Sequence, residues 1–254
     1  MSKARCLLDS AWIAASETHV VMDDAEDWQT RAQHLDERAA TLRAQIQPIP
    51  TGDTHNKFWR SRGPTGNAYL DDPFAPGEEL VRAPDDIKKW LQPHALKQHS
   101  IPGDGQCQFR AVSRALFGTE DHHAELLILA VEYLRLHKDE LQEWAVDELG
   151  SRRAALQDLV NKSLINEANY DGWCTAIERG LEWGQDFTLK AMLVLMRTKC
   201  CLLKNLKRRR LEPRIMCLEL NPIAEQGEEP IATIYLILEG LHYTTLEEMP
   251  AAVT

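Results

Sequence analysis

Cys107 stands where a thiol can be activated. The segment Ser100-Ile101-Pro102-Gly103-Asp104-Gly105-Gln106-Cys107 is rich in turn formers. The apolar positions that follow, Phe109, Val112, Leu116 and Phe117, predict a helix from Cys107 to about Phe117, with Gly118 as its stop. A thiol is a good nucleophile only as its thiolate. At a helix N-terminus, unpaired N–H groups and the positive end of the peptide dipole favour that anion. Gly105 permits a backbone turn that other residues resist. Such a turn would aim the N–H groups of Gln106 and Cys107 at one point, the arrangement of an oxyanion hole for acyl transfer. Position alone assigns nothing, since most cysteines at helix starts are inert.

The surrounding pattern is more specific. Asp104-Gly105-Gln106-Cys107-Gln108-Phe109-Arg110-Ala111-Val112 resembles the nucleophile motif of the ovarian-tumour (OTU) class of cysteine proteases, D-G-N-C-L-[FY]-R-A. Leu116-Phe117-Gly118, then His123 with Leu126 and Leu127, extend the resemblance, as do Tyr170 and Trp183-Gly184. Near the C-terminus, Leu236-Ile237-Leu238-Glu239-Gly240-Leu241-His242-Tyr243 is similar to the strand–turn–H-Y segment that carries the family's catalytic histidine. The blocks occur in order over roughly residues 83–250. The resemblance implies an α+β fold with an OTU-like, papain-related core. It implies a deubiquitinase in which Cys107 attacks the isopeptide carbonyl at a ubiquitin C-terminus and His242 is the general base. It further implies that Asp104 supports the oxyanion loop of Gly105 and Gln106, although an Asx-turn would account for the same aspartate.

Two positions depart from the pattern. The usual asparagine before the cysteine is Gln106. The acid or amide that many members carry two residues after the histidine is Thr244, whose hydroxyl can orient an imidazole but cannot stabilise an imidazolium as a carboxylate does. Three possibilities stay open: an acid from Asp104, an acid from a residue before Cys107, or a Cys–His dyad. The same departures keep open a catalytically silent OTU fold that only binds ubiquitin.

The elements that must position these residues follow from periodicity. Trp28, Leu35, Ala39, Leu42 and Ile46 line one face of a helix over about 23–46. It packs on the main domain or serves as an arm toward a partner. Residues 47–83 read as a linker interrupted by Pro and Gly, with Phe58, Trp59, Tyr69 and Phe74 as anchors. The expected organisation is therefore an N-terminal helical extension and linker, 1–82, and a catalytic domain, 83–254. Pro84-Asp85-Asp86 opens a short helix bearing Ile87, Trp90 and Leu91. Helices are predicted at about 122–138, 139–149, 152–166, 170–181 and 185–197, with Tyr170, Trp173, Ile177 and Trp183 in the core. Strands are predicted at 199–203, 214–220, 231–238 and 242–246, the last two forming a hairpin through Glu239-Gly240-Leu241. Helices followed by a small sheet make an α+β domain.

Composition bounds the partners. The chain has 254 residues and a formal net charge of −10, which argues against nonspecific nucleic-acid binding. The basic run Lys204-Asn205-Leu206-Lys207-Arg208-Arg209-Arg210 reads as a solvated loop, a nuclear-localisation signal or an acidic-partner contact; Glu225, Glu228 and Glu229 follow in the next loop. This basic loop and the loop after Trp183-Gly184 are expected walls for the ubiquitin body. Cys6, Cys107, Cys174, Cys200, Cys201 and Cys217 show no C-x-x-C spacing and read as free thiols in a reducing compartment, with no metal and no cofactor expected. His122-His123 diverge by about 100° on a helix, which favours a cap or surface role over a metal site. No stretch is long enough to span a membrane, and the run from Cys6 to Ile13 is a poor secretory signal. A cytoplasmic protein is expected, or an effector in a host-cell cytosol.

Overall fold

The long helices come first and the long strands follow, as the change of sequence texture after Thr198 implies. The computed structural model describes residues 28–47, 81–82, 87–206, 214–223, 227 and 229–249. The chain falls into two units, 1–34 and 35–254. Only the opening of helix α1 (Trp28–Arg43) is described in the first unit. The second contains β1 (Val81–Arg82), α2 (Ile87–Leu91), a 3-10 turn (Gln92–His94), β2 (Leu96–His99), α3 (Cys107–Phe117), α4 (His123–Leu136), α5 (Lys138–Trp144) and α6 (Val146–Asn161). It continues through α7 (Tyr170–Glu178), α8 (Asp186–Leu195), β3 (Thr198–Leu206), β4 (Arg214–Leu220), β5 (Ala232–Glu239) and β6 (His242–Glu248).

The strands form one six-stranded mixed sheet in the order β1-β4-β3-β5-β6-β2. β3 and β5 are parallel; every other pair is antiparallel. Successive strand side chains point to opposite faces, so the sheet feeds two cores. Cys200, Leu202, Leu218, Ile234, Leu236 and Tyr243 join the large core with α3, α4, α7 and α8. Cys201, Leu203, Tyr235, Ile237 and Leu246 meet Ile87, Leu91 and Leu96 on the other side. The vicinal cysteines thus lie on opposite faces, and Cys107, Cys174, Cys200 and Cys201 are free thiols. The architecture is α+β, and no helix among the described residues is long and apolar enough to cross a membrane.

Helix α3 ends where Gly118 takes a left-handed conformation (φ 73°) and returns its N–H to the Arg114 carbonyl. Phe109, Val112 and Leu116, spaced three and four apart, are buried. Burying such side chains contributes about 1.5–3 kcal/mol each, which anchors the nucleophile-bearing helix. Arg114 on the same helix bonds Glu247 of β6 at 3.2 Å, and Lys97 and His99 of β2 approach that carboxylate at 3.6 Å. This ion cluster ties α3 to the strand that begins with His242.

Three elements differ from expectation. In α1, Leu35, Ala39 and Leu42 are buried, but Trp28 is exposed and Ile46 lies past the helix end, partly buried. The sheet reaches back to Val81–Arg82, inside the stretch read as linker, through pairing with Arg214 and Ile215. β2 carries no apolar alternation of its own, because three of its four residues are polar; pairing with β6 makes it a strand. The expectations for 23–27, for 48–80 with its aromatic anchors, for the basic run beyond Leu206, and for Glu225 and Glu228 lie outside the described residues.

Candidate active site

β2 delivers the nucleophile segment to β6. Its last pair is His99 with Thr245, after which the chain leaves the sheet and turns through residues 100–106. Gly105 has φ +87°, the left-handed region that glycine occupies freely. Asp104 accepts the Gln106 N–H at 3.0 Å, closing an Asx-turn, and its other oxygen receives Nε and Nη2 of Arg110, each at 2.8 Å. Arg110 also reaches Glu120 at 3.4 Å. The turn and the loop support are therefore one arrangement. The Gln106 N–H is spent on Asp104, so the backbone donor beside the sulfur that keeps its place in the open first turn of α3 is that of Cys107. The Gln106 side chain runs toward Gly180; a Cβ there would sit 3.6 Å from its Nε2.

Cys107 is the first residue of α3 and is 7% exposed. Its Sγ lies 3.8 Å from the Leu241 carbonyl and 3.5 Å from the Tyr243 N–H. The carbonyl can accept the thiol proton, and the N–H donates to the sulfur. β2 stops short of Tyr243, which leaves that N–H to the sulfur. Burial makes Cys174 and Cys200 poor nucleophiles, pushing Cys174 up to about 12 and Cys200 well above 9.0.

His242 opens β6, between the two residues that touch Sγ. A Cβ built on Gly103 would lie 4.0 Å from its Cε1, so the ring borders the nucleophile loop. Thr244 is buried, and its hydroxyl accepts from Gln98 Nε2 at 2.9 Å. The second hydrogen of that amide goes to Glu239 at 3.1 Å. Glu239 pairs with His242 in the β5–β6 register, across the Gly240-Leu241 turn in which Gly240 has φ +64°.

Gln108 was not singled out by the sequence pattern, yet it is 1% exposed and fully engaged. Its Nε2 donates to the Gln185 carbonyl at 2.9 Å, and its Oε1 accepts from Thr188 at 2.5 Å. These bonds join α3 to the start of α8. Trp183 is 45% exposed rather than in the core; the apolar face of α7 is filled by Tyr170, Trp173 and Ile177, and Trp183 lies instead over Gly105, 3.5 Å from where a Cβ would be. Tyr170 is buried and donates to the Leu134 carbonyl at 3.0 Å. His123 faces the Glu120 carbonyl through Nδ1 at 2.7 Å, and burial lowers its pKa. Gln98, Glu239 and the Leu241 carbonyl escaped sequence reading because only the β2–β6 and β5–β6 registers bring them to the site.

Burial alone would raise the pKa of Asp104. The hydrogen bond from Arg110, the Gln106 N–H and the Arg110 charge outweigh it and hold the carboxyl below its ordinary value of 3.8. A depressed carboxyl stabilises the fold above its unfolded pKa, and that contribution is lost as pH falls through the folded value. Asp104→Asn should therefore melt below the parent at neutral pH, with the gap closing in acid below 3.8. The site is open to solvent, so the neutral-pH difference is about 1 kcal/mol or less. Thermal melts of both proteins at neutral and acid pH check this, and a gap independent of pH would rule out the charge as its source.

Two curated Arabidopsis thaliana proteins are similar. OVARIAN TUMOR DOMAIN-containing deubiquitinating enzyme 9 is 28% identical over 156 residues, 56% of this chain and 39% of that protein. Enzyme 10 of the same series is 25% identical over 132 residues, 52% and 31%. The chain thus spans well under half the length of either. Among solved structures, the OTUD1 OTU domain has 22% identity and a TM-score of 0.46, covering 64% of this chain and 92% of that one. An OTU deubiquitinase from Wolbachia pipientis wMel, bound to ubiquitin, has 15% identity and a TM-score of 0.40, covering 62% and 98%. The model of the OTU-like cysteine proteases matches residues 102–243, more than half of the 254, in one stretch from the nucleophile loop to the start of β6, and the chain belongs to that family.

Proposed function

We propose that the protein is a deubiquitinase, hydrolysing isopeptide bonds at the C-terminus of ubiquitin or a ubiquitin-like modifier, with Cys107 as nucleophile and His242 as general base. The observation that carries the reading is the seat of the Cys107 sulfur at the N-terminus of α3, between the Leu241 carbonyl and the Tyr243 N–H, the peptide neighbours of His242. In the proposed reaction His242 takes the thiol proton as sulfur bonds to the isopeptide carbonyl carbon. The first-turn N–H groups of α3 stabilise the oxyanion. Collapse breaks the C–N bond, and the imidazolium returns the proton to the leaving lysine amine. Water, deprotonated by His242, then cleaves the thioester and regenerates the thiol. Asp104 keeps Gly105 and Gln106 in the turn beneath the oxyanion.

Two further observations support the substrate class. The Arabidopsis relatives are deubiquitinating enzymes by name. Trp183, over Gly105, and Leu241, whose carbonyl faces the sulfur, also expose apolar surface, which suits an extended tail with small residues at its end. The proposed partner is ubiquitin or polyubiquitin, and the proposed compartment is a cytosol.

A second reading, a silent ubiquitin-binding module, is favoured by Thr244 standing where a carboxylate or amide is usual, with its hydroxyl bonded to Gln98. Incubating the full chain with an electrophilic ubiquitin C-terminal probe, beside Cys107→Ala and a panel of ubiquitin-like probes, separates the two. The expected result is a mass gain of one ubiquitin that is absent in the variant. Labelling by a different modifier alone would keep the chemistry and change the substrate. A folded protein that no probe labels would favour the silent module.

A further inference from the structure

The position two residues after His242 supplies no charge, and the polar groups around it point to another residue. Thr244 is paired with Gln98, and the same Gln98 amide holds the Glu239 carboxylate. Glu239 and His242 are direct partners in the β5–β6 register, and opposed residues share a face with Cβ atoms about 4.5–5.5 Å apart. Both remain partly accessible at the mouth of the hairpin. Asp104, the carboxylate of the nucleophile loop, has its oxygens committed to Arg110 and the Gln106 N–H. The titratable groups on the elements around His242 include Cys107 on α3, Asp104 in the nucleophile loop, Glu239 on β5, and Lys97 and His99 on β2, the last two turned to Glu247. Gln98 from β2 and Thr244 from β6 are neutral.

We propose that Glu239, held by Gln98, is the carboxylate that orients the His242 imidazole and stabilises its imidazolium, the part for which Thr244 has no charge. This rests on the Cys107–His242 reading above and makes Glu239 a positioning residue. The proton moves only between Cys107 and His242, and Glu239 stays ionised beside the cation. Asn, Asp or Gln at position 244 is not needed if the charge arrives from the neighbouring strand. Gln98 then does for the carboxylate what a fixed donor does for any oriented acceptor: it limits the rotamers from which Glu239 can leave the ring.

The test reads His242 directly. Ring resonances of histidine-labelled full chain are followed against pH in a Cys107→Ala background, which removes the coupled thiol titration. His242 is assigned by its loss in His242→Ala. Adding Glu239→Gln should lower the His242 midpoint by about one pH unit, the effect of one charge at close range in a partly exposed site. Glu239→Asp should keep most of the parent value, and Gln98→Ala should shift it in the same direction by less. With Cys107 intact, Glu239→Gln should reduce kcat about tenfold or more with KM nearly unchanged, and draw the acid limb of the pH profile, which a general base sets, to lower pH. A midpoint unmoved by Glu239→Gln overturns the inference, as does one moved more by Thr244→Val. If Glu239→Gln fails to fold, the Gln98→Ala midpoint decides instead: a downward shift supports the inference and an unmoved midpoint overturns it. A moved midpoint in a protein that no ubiquitin-type probe labels supports the Glu239–His242 pairing while sinking the hydrolase reading.

Discussion

Cys107→Ala is expected to lower turnover of a ubiquitin C-terminal amide by about 10⁴-fold or more, while ubiquitin binding stays within a few-fold of the parent. Cys174 and Cys200 cannot replace this thiol, being buried and held protonated, and Cys201 faces the small core on the far side of the sheet. The substitution removes one sulfur at the edge of the large core, and its loss costs about 1 kcal/mol. The contacts given up are the Leu241 carbonyl and the Tyr243 N–H. The Leu241 side is 60% exposed, so water can reach it. Serine keeps the shape but not an ionisable sulfur, and the same loss is expected of Cys107→Ser. Single-turnover cleavage and calorimetric titration with ubiquitin, on one preparation, check both halves. Residual turnover near the parent rate would move the nucleophile elsewhere. Loss of binding together with turnover would mean that Cys107 shapes the recognition surface as well as the chemistry.

What could be read in advance was what depends on neighbours in sequence. The three- and four-residue spacing of Phe109, Val112 and Leu116 fixed the face of α3, and Gly118 marked its end by a conformation glycine adopts without strain. Tyr170, Trp173 and Ile177 marked the buried face of α7 in the same way. The β-rich runs after Thr198 announced a sheet, most clearly 200–203 and 234–238, whose residues alternate between two apolar cores. The family pattern added the order of nucleophile and histidine segments, which no periodicity contains.

What stayed hidden depends on register. Leu96-Lys97-Gln98-His99 has no strand signature, yet its pairing with β6 both launches the nucleophile loop and brings Gln98 to Thr244 and Glu239. A parallel β3–β5 pair within an otherwise antiparallel sheet cannot be inferred from four apolar runs, since each run is compatible with either direction. Trp183 was misplaced for a related reason. A tryptophan after an amphipathic helix reads as core, but Trp173 already fills that space, and the left-handed Gly180 redirects the chain toward Gly105. The fate of the Gln106 N–H was equally out of reach, because the same Asp104-Gly105-Gln106 letters describe an Asx-turn and an oxyanion loop.

The glycine after Trp183 shows how tightly the two halves of the site are joined, and Gly184→Ala is expected to destabilise the protein by about 2–4 kcal/mol. A Cβ at Gly184 would fall inside contact distance of Gln108 Oε1 and lie 3.0 Å from its Cδ and 3.1 Å from Phe109 Cε2. The first of these is the end of a side chain, which ordinarily swings aside at little cost. Here it cannot, because Gln108 is buried, accepts from Thr188 and donates to the Gln185 carbonyl. Moving the amide leaves buried polar groups without partners, each costing about 1–3 kcal/mol. Moving α3 instead shifts Cys107, the residue next to Gln108, away from the Tyr243 N–H. Either response lowers the melting temperature by roughly 5–15 °C for a chain of this size, and the second also slows probe labelling. Gln108→Ala alone should be destabilising through the same lost bonds, but it empties the space that the new methyl needs. The double variant Gly184→Ala with Gln108→Ala should therefore be less damaged than the sum of the two, by about 1 kcal/mol or more. Denaturant melts of the four proteins in this cycle measure the coupling. Strict additivity, or a Gly184→Ala variant as stable as the parent, would show that the contact between Gly184 and the Gln108 amide yields without cost, and that the Trp183-Gly184 turn and the nucleophile helix are positioned independently.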